Sequence, residues 1–352
     1  MARRHAGAAA LAALALAGLG ALGTAARRRS LEPDLERVRP ELRAPLLVLG
    51  RGRSGEPQPL PDSPVPAVLS WVLSVVVPSG LGTRRTVDTP QARVPVWLYE
   101  TPERCESGPT GALVWFHGGG LVAGSPGQDH GLCSRIAREL GCLVVSVDYR
   151  LAPRHPYPAA IDDCTAVLRW VHEAAEDLHI DTRRVAVGGA SAGGGLAAAT
   201  AQRALDENLP LAFQLLIYPM LDDRTGADGN PVPGQGMFIW TARNNAESWQ
   251  AYLSHRPGQA EERPWAVPAR RRSLAGLARA WIGVGELDLF LDECRDYARR
   301  LKEAGVAVQV RVEPGMYHGA DVFTWSAAMR DFRDEAVAAL GAAINPSRET
   351  TA

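Results

Sequence analysis

An α/β fold with a mostly parallel sheet flanked by helices follows from three features of the 352-residue chain. From Ala112 onward, short apolar runs rich in β-branched residues alternate with longer amphipathic stretches, the order that builds parallel sheets. Most of the runs are apolar at nearly every residue, as strands covered on both faces are. One of them, starting at Val185, passes through Gly189-Ala-Ser-Ala-Gly193 directly into an Ala-rich helix former. That is the strand–turn–helix junction that can expose a serine oxygen for attack.

In chain order, the expected strands are Ala112–Phe116, Leu143–Val147, Val185–Val187, Phe213–Tyr218, Ala280–Val284 and Val306–Val312. The intervening helices are expected at Leu132–Leu140, Ile161–Asp177, Leu196–Leu205 and Leu291–Ala304, with Trp325–Ala343 closing the domain. Two regions break the alternation. Residues 31–81 begin with an acidic-basic helical stretch, continue through a Pro- and Gly-rich loop at Gly50–Val65, and end in the apolar Ala67–Val77. Residues 221–268 lie between two strands, carry Trp240, Trp249, Tyr252 and Trp265, and are too long for a structureless loop. Both are expected to contribute a helical cap, from about 31–80 and 221–268, near the carboxyl ends of the strands where sites form. The domain itself is expected to span 31–345, preceded by a hydrophobic extension at 1–30 and followed by a disordered tail at 346–352.

Composition narrows the function. Hydrophobic content of 46% and charged content of 22% suit a globular protein with a sizeable core. A net charge of −1 argues against a nucleic-acid partner. Lys302 is the only lysine among many arginines, which reads as the codon bias of a GC-rich genome. Five scattered cysteines without a Cys-x-x-Cys pair argue against a zinc site or a disulfide framework. Ala6 to Ala26 are 21 uncharged residues between Arg3-Arg4 and Arg27-Arg28-Arg29, enough to cross a bilayer. Membrane association through residues 6–26, or export, is therefore expected. A cytoplasmic location is the alternative, because Ala and Gly are weakly apolar and arginines directly after the segment oppose export.

Acyl transfer by a serine needs a nucleophile, a base, an acid to orient the base, and donors for the oxyanion. Ser191 is the expected nucleophile. Gly118, Gly119 and Gly120, in His117-Gly-Gly-Gly after the first strand, can turn main-chain N–H groups inward, and the N–H of Ala192 follows the nucleophile. His117 is expected to brace this loop rather than titrate. In folds built on such a junction the partners follow in the order serine, acid, histidine. Only His255 and His318 lie beyond Ser191, and His255 falls in the expected cap. His318 sits in a loop after the last strand, where a base belongs. Asp288, just past the strand Ala280–Val284, is the expected acid, with Glu286 and the pair Asp222-Asp223 as rivals. Asp292 and Glu293 open a helix, which the helix dipole alone explains.

Taken together, His117-Gly-Gly-Gly, the run from Val147-Asp-Tyr-Arg to Asp163, Gly189-Ala-Ser-Ala-Gly-Gly194, Asp288 to Glu293 and His318-Gly closely resemble the hormone-sensitive-lipase-like carboxylesterases. That family of α/β-hydrolases also includes the arylacetamide deacetylases. The resemblance spans residues 31–345. It implies the α/β-hydrolase fold with a helical cap, no cofactor and no metal, a Ser191–Asp288–His318 triad, and hydrolysis of small-molecule esters of short to medium acyl chain. Three positions depart from the family pattern: Ala190 replaces a common Asp, Arg154 a common Glu and Leu289 a common Pro. The alternatives are a membrane-associated lipase or deacetylase acting on longer acyl or amide substrates, and a non-hydrolytic ligand-binding protein on the same fold.

Overall fold

The computed structural model describes residues 34–49, 82–90 and 92–345. Its strands are β1 (Gly82–Asp88), β2 (Arg93–Tyr99), β3 (Thr110–Phe116), β4 (Leu143–Val147), β5 (Ile180–Ala190), β6 (Phe213–Ile217), β7 (Ala280–Gly285) and β8 (Val308–Glu313). They form one sheet in the order β1-β2-β4-β3-β5-β6-β7-β8. β1–β2 and β2–β4 pair antiparallel, and every later neighbour pairs parallel. This is the α/β-hydrolase arrangement of a mostly parallel sheet.

The parallel strands lie where their apolar runs lead one to expect. β4, β6 and β7 are buried at every residue, and β3 at all but its first. β1 and β2 are additions. β1 reads Gly-Thr-Arg-Arg-Thr-Val-Asp and buries only Val87, because it is the sheet edge and has little apolar surface to hide. β5 extends to Ile180, which pairs with Thr110, and the polar Asp181–Arg184 fill the irregularity before pairing resumes at Val185 with Ala112.

The helices are α1 (Arg43–Leu49), α2 (His130–Leu140), α3 (Ala159–Glu173), α4 (Ala192–Asp206), α5 (Ala242–Leu253), α6 (Leu291–Glu303) and α7 (Ala327–Ile344). α2 and α7 touch through Arg135–Asp334 and Asn345–Leu140. α3, α4 and α6 are linked by Arg203–Asp162 and by Gln202 donating to the Tyr297 hydroxyl. Since α4 and α7 both pack on β5 and β6, these two groups form layers on opposite faces of the sheet. α3 ends at Glu173, four residues short of the expected Asp177, where the chain turns over Leu178 N–H to Ala174 O toward β5.

The helical start expected in residues 31–81 is present as a turn at Pro40–Leu42 and α1. It packs on the loop after β8, with Arg39 N–H donating to Gly315 O at 3.2 Å and the Tyr317 hydroxyl to Leu42 O at 3.2 Å. Within residues 221–268 the regular element is α5, capped by Thr241. The segments Gly50–Val65, Ala67–Val77, 6–26 and 346–352 lie outside the described residues. No described helix is long and apolar enough to cross a membrane.

Candidate active site

Ser191 stands between the last residue of β5 and the first of α4, at φ +57 and ψ −122. A side chain at positive φ is strained by about 1–3 kcal/mol, so the surroundings must hold it. They do so through backbone bonds: Ser191 N–H donates to Ile217 O at 2.9 Å, and Ser191 O accepts from Gly195 and Met220 N–H, each at 3.0 Å. The approach of helix to sheet is as close as glycine allows. A Cβ on Gly189 would stand 2.3 Å from Gly193 O, and one on Gly193 would stand 2.0 Å from Phe116 O. This explains why α4 starts at Ala192 despite three glycines in its first turn, four residues before the expected Leu196.

His318 lies in the loop between β8 and α7, and Asp288 in the loop after β7. Leu287 N–H donates to Met316 O at 2.9 Å and ties the two loops together. His318 Nδ1 is 2.8 Å from Asp288 Oδ2, and His318 Nε2 is 2.9 Å from Ser191 Oγ. An ionised carboxylate can only accept, so Nδ1 carries the proton and Nε2 is left to accept from the serine hydroxyl. Asp288 Oδ1 accepts from Phe290 N–H at 3.0 Å, which fixes the second carboxylate oxygen. Ser191 and His318 are 6% exposed and Asp288 is fully buried, so these contacts are shielded from competing water.

The main chain at Gly118–Gly120 passes beside this serine. A Cβ on Gly118 would lie 3.1 Å from Ala190 O and 3.4 Å from Ser191 Cβ. Gly119 and Gly120 adopt φ +122 and +64, and the N–H groups of Gly118, Gly119 and Gly120 have no acceptor among the described residues. Ala192, buried, opens α4 directly after Ser191. The loop is held from below by His117, whose Nδ1–H donates to Gly118 O at 2.8 Å. The imidazole stacks on Tyr149 at 4.2 Å, and the Tyr149 hydroxyl donates to His117 O at 2.7 Å. Burial pushes the His117 pKa down to about 4, so the ring is neutral at ordinary pH.

The rival residues are engaged elsewhere. His255 is bonded to Glu261 and Arg263, and Asp223 forms a paired contact with Arg270. Asp222 holds Arg224, and Glu286 accepts from Gly315 N–H at 3.0 Å. Glu293 accepts from Leu221 N–H, and burial raises its carboxyl pKa well above the usual carboxylate range. Asp292 is exposed at the start of α6. Among the described side chains, Cys133, Cys142, Cys164 and Cys294 are free thiols, each buried. No cluster of three or more His, Cys, Asp or Glu suited to a metal occurs among the described residues.

Four residues around the site carry no individual role in the sequence, Trp240 being marked there only as one of the aromatics of residues 221–268. Tyr218 and Phe290 place their rings 4.8 and 5.3 Å from the His318 imidazole. The half-buried Trp240 ring is 6.1 Å from it, and its edge occupies the space a Cβ on Gly120 would need. Ser248, on α5, also abuts Gly120, and its buried hydroxyl has no hydrogen-bond partner among the described residues. Trp240 N–H donates to Asn245 Oδ1 at 3.3 Å, and Asn245 in turn donates to Thr225 O at 2.7 Å, which orients the indole. The aromatic content of residues 221–268 was the available signal for Trp240; nothing marked the other three.

Known proteins resemble this chain over the same region. A family model described as alpha/beta hydrolase fold matches residues 113–322. Esterase LipI of Mycobacterium tuberculosis is 37% identical over 238 residues, covering 66% of this chain and 72% of the relative. Carboxylesterase NlhH of the same species is 38% identical over 239 residues, covering 64% of this chain and 70% of the relative. Among solved structures, a bacterial heroin esterase superposes with a TM-score of 0.80 at 33% identity, covering 88% of this chain and 99% of the other.

Proposed function

The chain belongs to the hormone-sensitive-lipase-like carboxylesterases of the α/β-hydrolase fold, and from that premise we propose that it is a serine carboxylesterase acting on small esters of short to medium acyl chain. The observation that carries this reading is the continuous line from Asp288 Oδ2 through His318 to Ser191 Oγ, with contacts of 2.8 and 2.9 Å.

In the proposed reaction His318 Nε2 takes the Ser191 proton as Oγ attacks the ester carbonyl carbon. Asp288 stabilises the imidazolium that forms and keeps its ring oriented. The negative charge on the carbonyl oxygen is met by N–H groups of Gly118 to Gly120 and of Ala192, whose dipoles are already in place. The imidazolium then protonates the leaving alcohol as the C–O bond breaks. His318 next deprotonates a water that attacks the acyl-enzyme, and the carboxylic acid is released with Ser191 restored. His117 acts on this chemistry only by holding the loop.

Residues 31–80 and 221–268 are proposed to form the cap. The contact of Trp240 and Ser248 with Gly120 supports that reading for the second segment, since it puts two side chains of the insert at the oxyanion loop. A wall so close to the reacting carbonyl favours short chains. The test is hydrolysis of p-nitrophenyl esters from C2 to C16 by wild type and Ser191→Ala. Activity falling with chain length and absent from the variant is expected; undiminished activity in Ser191→Ala overturns the assignment. Residues 6–26 are proposed to attach the chain to a membrane or direct its export. Fractionating cells that express the full chain or a form beginning at Ser30 tests this, and identical distributions refute it.

A further inference from the structure

One buried carboxylate beside the site has no part in the reaction above. Asp321 lies three residues after His318, in the turn Ala320–Val322, and is 1% exposed. Its Oδ1 accepts from the Tyr218 hydroxyl at 2.6 Å and its Oδ2 from Arg333 Nε of α7 at 2.9 Å. Tyr218 directly follows β6, and its N–H donates to Gly283 O of β7 at 2.6 Å. Its ring meets the His318 imidazole at 4.8 Å and an interplanar angle of 62°. A chain of contacts thus runs from α7 through Asp321 and Tyr218 to the ring of the base.

Burying a carboxylate and a guanidinium gains little stability over apolar packing of the same volume, so the pair calls for a positional reason. The loop itself supplies one. Gly319, next to His318, sits at φ +75 with no atom within 4 Å of where a Cβ would be. Farther along, Trp325 is 61% exposed. Ala320, fully buried, and the half-buried Phe323 seat this segment on the core, and Asp321 adds a directional polar anchor to Tyr218 and Arg333. We propose that Asp321, Tyr218 and Arg333 are positioning residues for His318. They clamp its loop to the sheet and to α7, and hold the ring plane so that Nε2 stays in line with Ser191 Oγ during proton transfer. This inference rests on the esterase reading.

The test uses the full-length protein with Tyr218→Phe, which keeps the ring and removes the hydroxyl, and Asp321→Asn, which keeps the shape and removes the charge. An alkyl fluorophosphonate counts reactive serines, and kcat per titrated site is measured with p-nitrophenyl butyrate. The expected result is about a tenfold loss of kcat per site, part of the contribution of a well-placed general base, with KM within twofold and titration near one site per chain. Should either variant fail to fold, Arg333→Lys, which keeps the charge and loses the Nε donor, is expected to behave in the same way. Variants that lose titratable sites or thermal stability while keeping wild-type kcat per site would show a merely structural role and overturn the proposal. A wild-type protein that neither reacts with the fluorophosphonate nor hydrolyses the ester would overturn the esterase reading instead.

Discussion

Replacing Gly193 by alanine probes the closeness of approach on which the site depends. The added Cβ would stand 2.0 Å from Phe116 O and 2.5 Å from His117 O, whereas real Cβ contacts essentially never fall below 3.0 Å. The difference, 3.0 − 2.0, requires α4 and the end of β3 to part by about 1 Å. Overpacking of this kind costs about 1–3 kcal/mol, or a fall in Tm of about 1–5 °C for a domain of this size. The catalytic cost is larger. Ser191 precedes α4, Ala192 begins it, and Gly118–Gly120 continue from His117, so the same shift separates nucleophile from oxyanion donors. A displacement of about 1 Å in such a geometry costs on the order of 100-fold in rate. The assay is kcat/KM on p-nitrophenyl butyrate with circular dichroism melting, and Gly305→Ala is the control. Gly305, unlike Gly193, has positive φ, at +76, and no atom lies within 4 Å of its Cβ position. That control should lose about 1 kcal/mol from strain and keep its activity. Gly193→Ala within about threefold of wild type in kcat/KM would refute the steric reasoning.

Three further outcomes follow from the packing and electrostatics. Asp163, 2% exposed at its side chain, holds Arg150 through both carboxylate oxygens and also accepts from Arg150 N–H at 3.0 Å. Asp163→Ala leaves these donors unpaired and should cost about 2 kcal/mol, discounted for the one-third exposure of Arg150, as read from urea midpoints. His117 has its pKa lowered to about 4, so between pH 6.5 and 4 the unfolded chain binds a proton that the native state does not. Acidification through that window should therefore remove about 3 kcal/mol of stability, at 1.36 kcal/mol per pH unit, and His117→Asn should show a correspondingly flatter profile. Parallel pH profiles for the two proteins would contradict this. Trp240→Ala removes the ring edge beside Gly120 and should raise kcat/KM for C8 relative to C4 esters at least threefold, measured on the same p-nitrophenyl series. An unchanged ratio would show that the indole does not limit the acyl chain.

What could be read from the sequence depended on how local its physical cause was. Leu143–Val147 is found at its expected bounds because four apolar residues in five, three of them β-branched, suit a strand buried on both faces. Ser191, Asp288 and His318 could be named because each follows a strand in the order the fold demands, and they meet within 2.9 Å. β1 was illegible: an edge strand with Arg84 and Arg85 exposed carries no alternation to detect. The early start of α4 was hidden as well, since glycines read as helix breakers until the neighbouring carbonyls of Phe116 and Met220 are seen to exclude any side chain. Tyr218 and Ser248 reach the site through tertiary packing, and Asp321 through its partners on β6's end and α7.

The role of Ser191 is tested most directly by covalent capture. Treating the protein with an alkyl fluorophosphonate should form one bond from Ser191 Oγ to phosphorus, with loss of fluoride and with the serine proton passing to His318. Peptide mass spectrometry should then find the phosphonate on the peptide containing Ser191 and nowhere else, in step with loss of esterase activity, and Ser191→Ala should neither label nor hydrolyse. Label on a different residue, or hydrolysis that survives complete modification of Ser191, would contradict the mechanism.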